Sequence, residues 1–161
     1  MTAAGHPAIP SPLSMEGCPM STPVTKLDKP PEAWRGQVSE ERYQVLFKEA
    51  TEPPHTSSLN REKRRGTFVC AACHLPLFSS DTRFESGTGW PSFFRPLPGS
   101  IDSKRDFRLI LPRIEYHCAR CGGHQGHVFG DGPAPTGKRY CNNGLALEFV
   151  PEGEPLPPLR D

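Results

Sequence analysis

No apolar run in this chain approaches the roughly 20 residues needed to span a bilayer. The N-terminus also lacks the apolar core of a secretory signal, and its first arginine comes only at Arg35, unlike the Arg-rich start of a transit peptide. An excess of either charge is missing too: 19 Lys and Arg stand against 18 Asp and Glu, a formal net charge of +1. That balance removes the electrostatic footprint of a nucleic-acid-binding or anionic-membrane protein. Apolar residues are few, 35% of 161, so the chain has room for one domain with a modest core. A core of that size gains from a metal staple. No internal repeat is visible beyond one doubled cysteine pair.

What the chain does have is proline (20 residues) and six cysteines. Four of the six form two C-x2-C pairs, Cys70/Cys73 and Cys118/Cys121. With no secretory signal, such pairs read as metal binding in a reducing compartment more than as a disulfide framework, and the cytoplasm is the expected location. Each pair ends an expected strand, where a tight turn can aim both sulfurs at one ion. Four thiolates make a closed tetrahedral zinc site with no open position for catalysis, so the expected zinc is structural. The alternative is four reduced or disulfide-paired cysteines. His74 and His117 flank the pairs and are expected as bystanders or outer partners of the ligands. A nucleoside deaminase is excluded, because it needs a His-x-Glu element and a ligand set that leaves water on the metal.

Residues 1–33 are rich in Pro, Ser and Thr with no apolar pattern and are expected to form a disordered leader. Met15 and Met20 lie inside it and offer later starts than Met1. One helix is predicted, from Ser39 to Ala50: Ser39 can cap it, Glu40 and Glu41 suit its positive end, and Tyr43, Leu46, Phe47 and Ala50 fall on one face. Thr51 to Pro54 stops it. The basic run Arg61–Arg65 reads as a solvated loop, given the balanced overall charge. From Gly66 onward short strands and turns follow: Thr67–Cys70, Phe107–Leu111, Glu115–Cys118, and Arg139–Val150 with a bulge at Gly144. The expected fold is therefore mainly β, two small antiparallel sheets with an N-terminal helix, stapled by a four-cysteine zinc site. A single domain at 34–150 and a flexible tail at 151–161 complete the expected layout.

The densest chemistry lies in HQGHVFGD (124–131) and RYCNN (139–143). Residues two apart in a strand share a face, so Arg139, Cys141 and Asn143 can point into one cleft. A guanidinium beside a thiol favours the thiolate, the attacking species. His124, His127 and Asp131 supply a general acid and a group to orient it. Each of these residues also has a bland reading as an ion pair, a satisfied histidine or an inert thiol. Their joint occurrence in one short segment is the signal. In SGTGWPSFF (86–94), two glycines bracket Thr88 and a proline follows Trp90, framing that can present an indole as a rigid apolar wall. Trp90, Phe93 and Phe94 could equally be core.

The segments SGTGWPSF (86–93), HQGHVFGDGPAPTG (124–137) and RYCNN (139–143), set around two C-x2-C pairs, resemble the methionine sulfoxide reductase B family. The resemblance runs from about Glu32 to Val150. It implies a zinc-stapled pair of antiparallel sheets, reduction of the R epimer of methionine sulfoxide (free or in proteins), and thioredoxin as electron donor. By the same resemblance Cys141 is the nucleophile that ends as a sulfenic acid. Arg139 favours its thiolate, and His127 donates to the sulfoxide oxygen with His124 and Asp131 tuning it. Asn143 completes the polar network, and Trp90 walls the substrate pocket, with Phe129 as a second substrate contact.

The chain departs from the family at three places. Gln125 stands where Leu is usual and Gly144 where Ser is; both are expected to be tolerated, with no chemical role. Thr88 replaces the resolving cysteine of many members. Cys18, in the leader, is the candidate resolver. If translation starts at Met20, an external thiol reduces the sulfenic acid directly. A zinc-ribbon-like binding module would explain the four cysteines but not Cys141 and its neighbours, and a redox sensor using Cys141 would lack turnover. A monomer is expected, with no nucleic-acid or membrane partner.

Overall fold

The computed structural model describes residues 24–106 and 113–161. Most of the leader, with Cys18, Met15 and Met20, and the expected Phe107–Leu111 strand lie outside the described residues. Helix α1 (Glu40–Lys48) begins where the sequence places it: Ser39 Oγ accepts from the Arg42 backbone N–H at 3.2 Å, and Glu40 and Glu41 occupy the first turn. It ends earlier than expected, at Glu49 in the left-handed conformation with φ 58°. Tyr43, Val45 and Leu46 are buried, and Phe47 stacks on the fully buried Trp34 at 5.9 Å. Arg42 donates to the carbonyls of Leu145 and Leu147, which pins the helix to the chain just after the reactive segment.

Among the described residues, nine strands form two antiparallel sheets. The first is β2-β1-β9, from β1 (Gly66–Cys70), β2 (Pro76–Ser79) and β9 (Leu147–Pro151). The second runs β3-β4-β8-β7-β6-β5, from β3 (Arg83–Phe84), β4 (Ser92–Phe93), β5 (Ile101–Asp106), β6 (Arg113–Cys118), β7 (His124–Phe129) and β8 (Arg139–Asn142). The mainly β, two-sheet fold is the one expected, although the second sheet is larger than "small". Arg139–Val150 divides between the sheets: Gly144 opens a 3-10 turn (Gly144–Ala146) that carries the chain from β8 to β9, in place of the expected bulge.

The core is aromatic. Phe78 stacks on Phe93 at 4.1 Å, Phe68 meets Phe93 edge-on at 5.0 Å, and Tyr116 meets Tyr140 at 5.4 Å. Each buried ring stabilises by about 1.5–3 kcal/mol on transfer alone. Phe93 is thus core, and Phe94 is half-buried. Tyr116, Val128 and Tyr140 point to this core from neighbouring strands, so by alternation Glu115, His127, Phe129, Arg139 and Cys141 point to the opposite face of the same sheet.

The end of the expected leader and the expected tail both fold back. Leu27 N–H donates to Arg120 O, and Pro31–Trp34 forms a 3-10 turn. Residues 151–161, expected to be flexible, return onto the first cysteine turn: Arg160 N–H donates to Cys73 O, and Arg120 donates to Arg160 O and bonds Asp161. The basic run Arg61–Arg65 spends its charge locally, Lys63 on Glu85, Arg64 on Glu62, and Arg65 on Glu152 and Asp81.

Candidate active site and metal centre

The two C-x2-C turns follow β1 and β6 and meet. Cys70 Sγ lies 3.6 Å from Cys121 Sγ, and Cys73 Sγ lies 3.5 Å from Cys118 Sγ; all four sulfurs fall within 4.8 Å of one another. Ligands at about 2.3 Å in a tetrahedron are separated by about 3.8 Å, so this set fits a single ion. Burial pushes the Cys70 thiol well up, whereas bonds from Cys118, Cys121 and Cys70 pull Cys73 far down. A divalent cation at the centre would let all four ionise. Neither flanking histidine joins them: His74 Nδ1 meets Pro158 O, and His117 Nδ1 meets Gly122 O.

Around Cys141 the structure forms a cavity of about 260 Å³ lined by Thr51, Thr88, Trp90, Arg113, Gly126, His127, Phe129, Arg139, Cys141 and Asn143. A larger cleft of about 760 Å³ opens beside α1 and β9, but its lining has no thiol or imidazole. His127 is the direct cross-strand partner of Cys141, and Phe129 of Arg139. Side chains so paired lie about 5 Å apart on one face. Arg139 also sits 4.3 Å above the Phe129 ring. Burial pushes the Cys141 thiol above its ordinary value; the Arg139 guanidinium and the Thr88 hydroxyl pull it down, and Glu52 pushes it up again. Burial wins, so the net direction is upward against the pull of the guanidinium.

The Trp90 wall is fixed from behind. Its Nε1 donates to Glu52 O at 3.0 Å, and Gly89, at φ 94°, leaves its carbonyl to His55 N–H and Asn60 Nδ2. A Cβ at Gly89 would stand 2.7 Å from Pro54. Ser86 Oγ links Thr88 and Ser92, each at 2.8 Å. Asn143 accepts from Glu52 N–H and donates to Gln125 O, so its amide is held at both ends.

His124 and Asp131 lie outside the cavity lining. His124 is 1% exposed and lies behind His127, ring to ring at 5.5 Å. Asp131, expected to tune His127, instead bridges Arg139 Nε at 2.9 Å and Nη2 at 3.2 Å, which holds its carboxylate below the usual range. Sequence reasoning passes over Arg113 in the lining; Thr51 and Glu52 enter that reasoning only within Thr51–Pro54, as a helix stop and as part of the stretch that resembles the family, with no role assigned. It also gives Gln125 no role. In the structure Gln125 is fully buried, and its amide donates to Cys70 Sγ at 3.6 Å and accepts from Asn142 Nδ2 at 3.1 Å, while Tyr116 O–H holds Asn142 Oδ1 at 2.7 Å. Gly144 is likewise fixed: a Cβ there would stand 2.0 Å from Ser57 Oγ.

A thiol paired with an imidazole beneath an aromatic wall, on a fold that also carries a four-sulfur cluster, agrees with the family comparison. Residues 38–151 match the SelR domain. The chain belongs to the methionine sulfoxide reductase B family. It is 46% identical over 128 residues to the peptide methionine sulfoxide reductase MsrB of Leptospira interrogans, covering 79% of this chain and 98% of that protein. It is 49% identical to the Methanosarcina barkeri protein of the same name (80% and 91% covered) and 50% identical to that of Pseudomonas putida (80% and 97%). The chain is accordingly an oxidoreductase of the methionine sulfoxide reductase class. Among the described residues, no helix is long and apolar enough to cross a membrane.

Proposed function

We propose that the chain reduces the R epimer of methionine sulfoxide, free or in proteins, with Cys141 as nucleophile. The observation that carries this reading is the register pairing of Cys141 with His127 inside the Trp90-walled cavity. The Cys141 sulfur attacks the sulfoxide sulfur, and His127 delivers a proton to the oxygen, which is a poor leaving group until protonated. With the thiol's own proton the oxygen departs as water, leaving Cys141 bonded to the substrate sulfur. Water then attacks the Cys141 sulfur and that S–S bond breaks: the substrate sulfur keeps the electron pair and leaves as a thioether, Cys141 becomes a sulfenic acid, and the proton released returns to His127. Arg139 and Thr88 hold the sulfur as its proton leaves, Asp131 fixes Arg139, His124 backs His127, and Asn143 holds the β8 end in place. Trp90 and Phe129 pack the methyl side opposite the polar donors, which is what tells the two epimers apart.

A thiol must then attack the sulfenic acid, releasing water and forming a disulfide with Cys141 that a second thiol opens. Thioredoxin fits that role, with Cys18 as the candidate internal thiol. Zinc fits Cys70, Cys73, Cys118 and Cys121, where four sulfurs leave it no open position and confine it to joining the two turns. The cavity is complete within one chain, which supports a monomer, and five free cysteines among the described residues suit a reducing compartment such as the cytoplasm.

A single turnover tests the reading. Reduced, metal-loaded protein is freed of reductant and given each epimer separately. One methionine per protein from the R epimer, and far less from the S epimer, is expected. No methionine from folded protein refutes it. Peptide masses then show either a Cys18–Cys141 disulfide or a sulfenic acid left on Cys141.

A further inference from the structure

Beside the cavity, on the same face of the six-stranded sheet, Glu115, His117 and His124 converge within 4.8 Å. The fold brings them there by an irregularity. Tyr116 pairs with Gly126, but the next residue, His117, pairs with His124, so Gln125 is an extra residue bulged out of β7. The bulge sets His124 beside His117 and, with Glu115 two residues before His117, completes a triad of two imidazoles and a carboxylate.

Its separations also fit a coordination shell. His117 Nε2 lies 3.3 Å from Glu115 Oε1, and His124 Nδ1 lies 3.5 Å from Glu115 Oε2. Nitrogen and oxygen ligands at about 2.0–2.2 Å in a tetrahedron stand about 3.3–3.6 Å apart. The His117 ring sits between two acceptors: Nδ1 lies 3.1 Å from the Gly122 carbonyl and Nε2 lies 3.3 Å from Glu115 Oε1. A metal on Nε2 would leave Nδ1 to that carbonyl, the usual outer partner of a metal-bound imidazole. Glu115 is an ionised ligand: burial raises it, but bonds from His117 and Lys104 outweigh that and hold it below the usual range. Glu115 and His124 are buried, while His117 keeps 16% of its side chain exposed and gives an entry path. Lys104, 3.2 Å from Glu115 Oε1, is one cation beside the site; its side chain is 58% exposed and also reaches Glu49 at 3.7 Å, so it can swing away.

We infer that Glu115, His117 and His124 form a second, inhibitory site for a divalent transition-metal ion such as zinc. The set of two imidazoles and one carboxylate suits zinc, cobalt or copper and not magnesium or calcium. Because the His124 ring backs His127, an ion held there fixes the imidazole behind the proton donor and lowers turnover. The inhibitory half rests on the role proposed for His127; the binding half does not.

The test uses full-length protein with its four-cysteine site already filled with zinc. Cobalt is titrated into a Cys141→Ser background, which removes the reactive thiol as a competing ligand. One further equivalent is expected, with d–d bands but no thiolate charge-transfer band. His117→Asn should weaken it more than about 100-fold, beyond the roughly 10–100-fold typical of losing an outer partner, while Lys104→Met should tighten it. In the enzyme with Cys141 intact, zinc should inhibit, and His117→Asn should relieve inhibition with basal turnover unchanged. No further equivalent, a thiolate band, or binding indifferent to His117→Asn overturns the site. Binding without inhibition overturns the inhibitory role alone.

Discussion

In a Gln125→Leu variant the new side chain fills nearly the same volume but loses both hydrogen-bonding ends of the amide. Asn142 keeps its bond to Asn143 O at 2.9 Å and the bond from Tyr116 O–H, but its second amide hydrogen, now fully buried, loses Gln125 Oε1. An unsatisfied buried donor costs about 1–3 kcal/mol. Burying an apolar side chain of this size returns about 1.5–3 kcal/mol. The two nearly cancel, so Tm should move by only about 4 °C or less for a chain of this length. Metal affinity should not be spared. The bond from Gln125 Nε2 to Cys70 Sγ draws charge from one sulfur and orients it, and losing such an outer partner lowers affinity about 10–100-fold, or about 1.4–2.8 kcal/mol. Competition against a chromophoric chelator, with Tm measured in parallel, separates the two quantities. A leucine variant that keeps wild-type metal affinity would show that the amide is only filling space.

Cys141→Ser should abolish turnover with metal content intact, whereas Cys118→Ser should lose metal and cooperative unfolding together; metal analysis and calorimetry distinguish them. Arg139→Gln should raise the Cys141 thiol further, moving the pH profile of its alkylation, followed by peptide mass, to higher pH; an unchanged profile would remove Arg139 from that role. The raised thiol also has a stability sign. Native protein holds this proton more tightly than unfolded protein, so the contribution is full below the ordinary thiol value and is lost as pH rises through the native one. Gly144→Ser, toward the common family residue, should destabilise by about 1–3 kcal/mol unless Ser57 moves, since its Cβ would stand 2.0 Å from Ser57 Oγ; the pair Gly144→Ser with Ser57→Gly should restore Tm.

Local chemistry was legible and long-range pairing was not. Ser39 and its following glutamates mark a helix start because capping involves only the next few residues. The two C-x2-C turns are as local, and their meeting follows from the demand for four ligands. Asp131 shows the limit. Two cations lie within reach of it along the chain, and sequence order does not say which it meets. The turn closed by Gly132 N–H to Gly137 O folds it onto Arg139. Gln125 was opaque for a related reason: its burial and its reach to Cys70 arise from a register slip between β6 and β7 that no single strand encodes. The composition of 24–33 and of the tail predicted disorder, but carbonyls such as those of Arg120 and Cys73 give these ends backbone partners that composition cannot anticipate.

The same bulge makes the active face possible. In a regular strand, His124 and His127, three residues apart, would point to opposite faces. One extra residue between Tyr116–Gly126 and His117–His124 puts both imidazoles on the face of Cys141 and sends the Gln125 amide to the metal side. On the other edge of β7, Gly126 lies opposite Asn142, and that residue has to be glycine: a Cβ on Gly126 would stand 2.0 Å from the Cys141 carbonyl oxygen and 3.0 Å from Asn142 Cα. Relief of such a contact needs about 1 Å of separation between β7 and β8, at the step next to the His127–Cys141 pair. A 1 Å misplacement of reacting groups costs on the order of 100-fold in rate, against about 1–3 kcal/mol in stability for the overpacking itself. Gly126→Ala should therefore remain folded and metal-loaded yet lose about two orders of magnitude in kcat, read under saturating substrate. Activity within a few-fold of wild type would mean that proton delivery to the sulfoxide does not depend on the close pairing of these two strands.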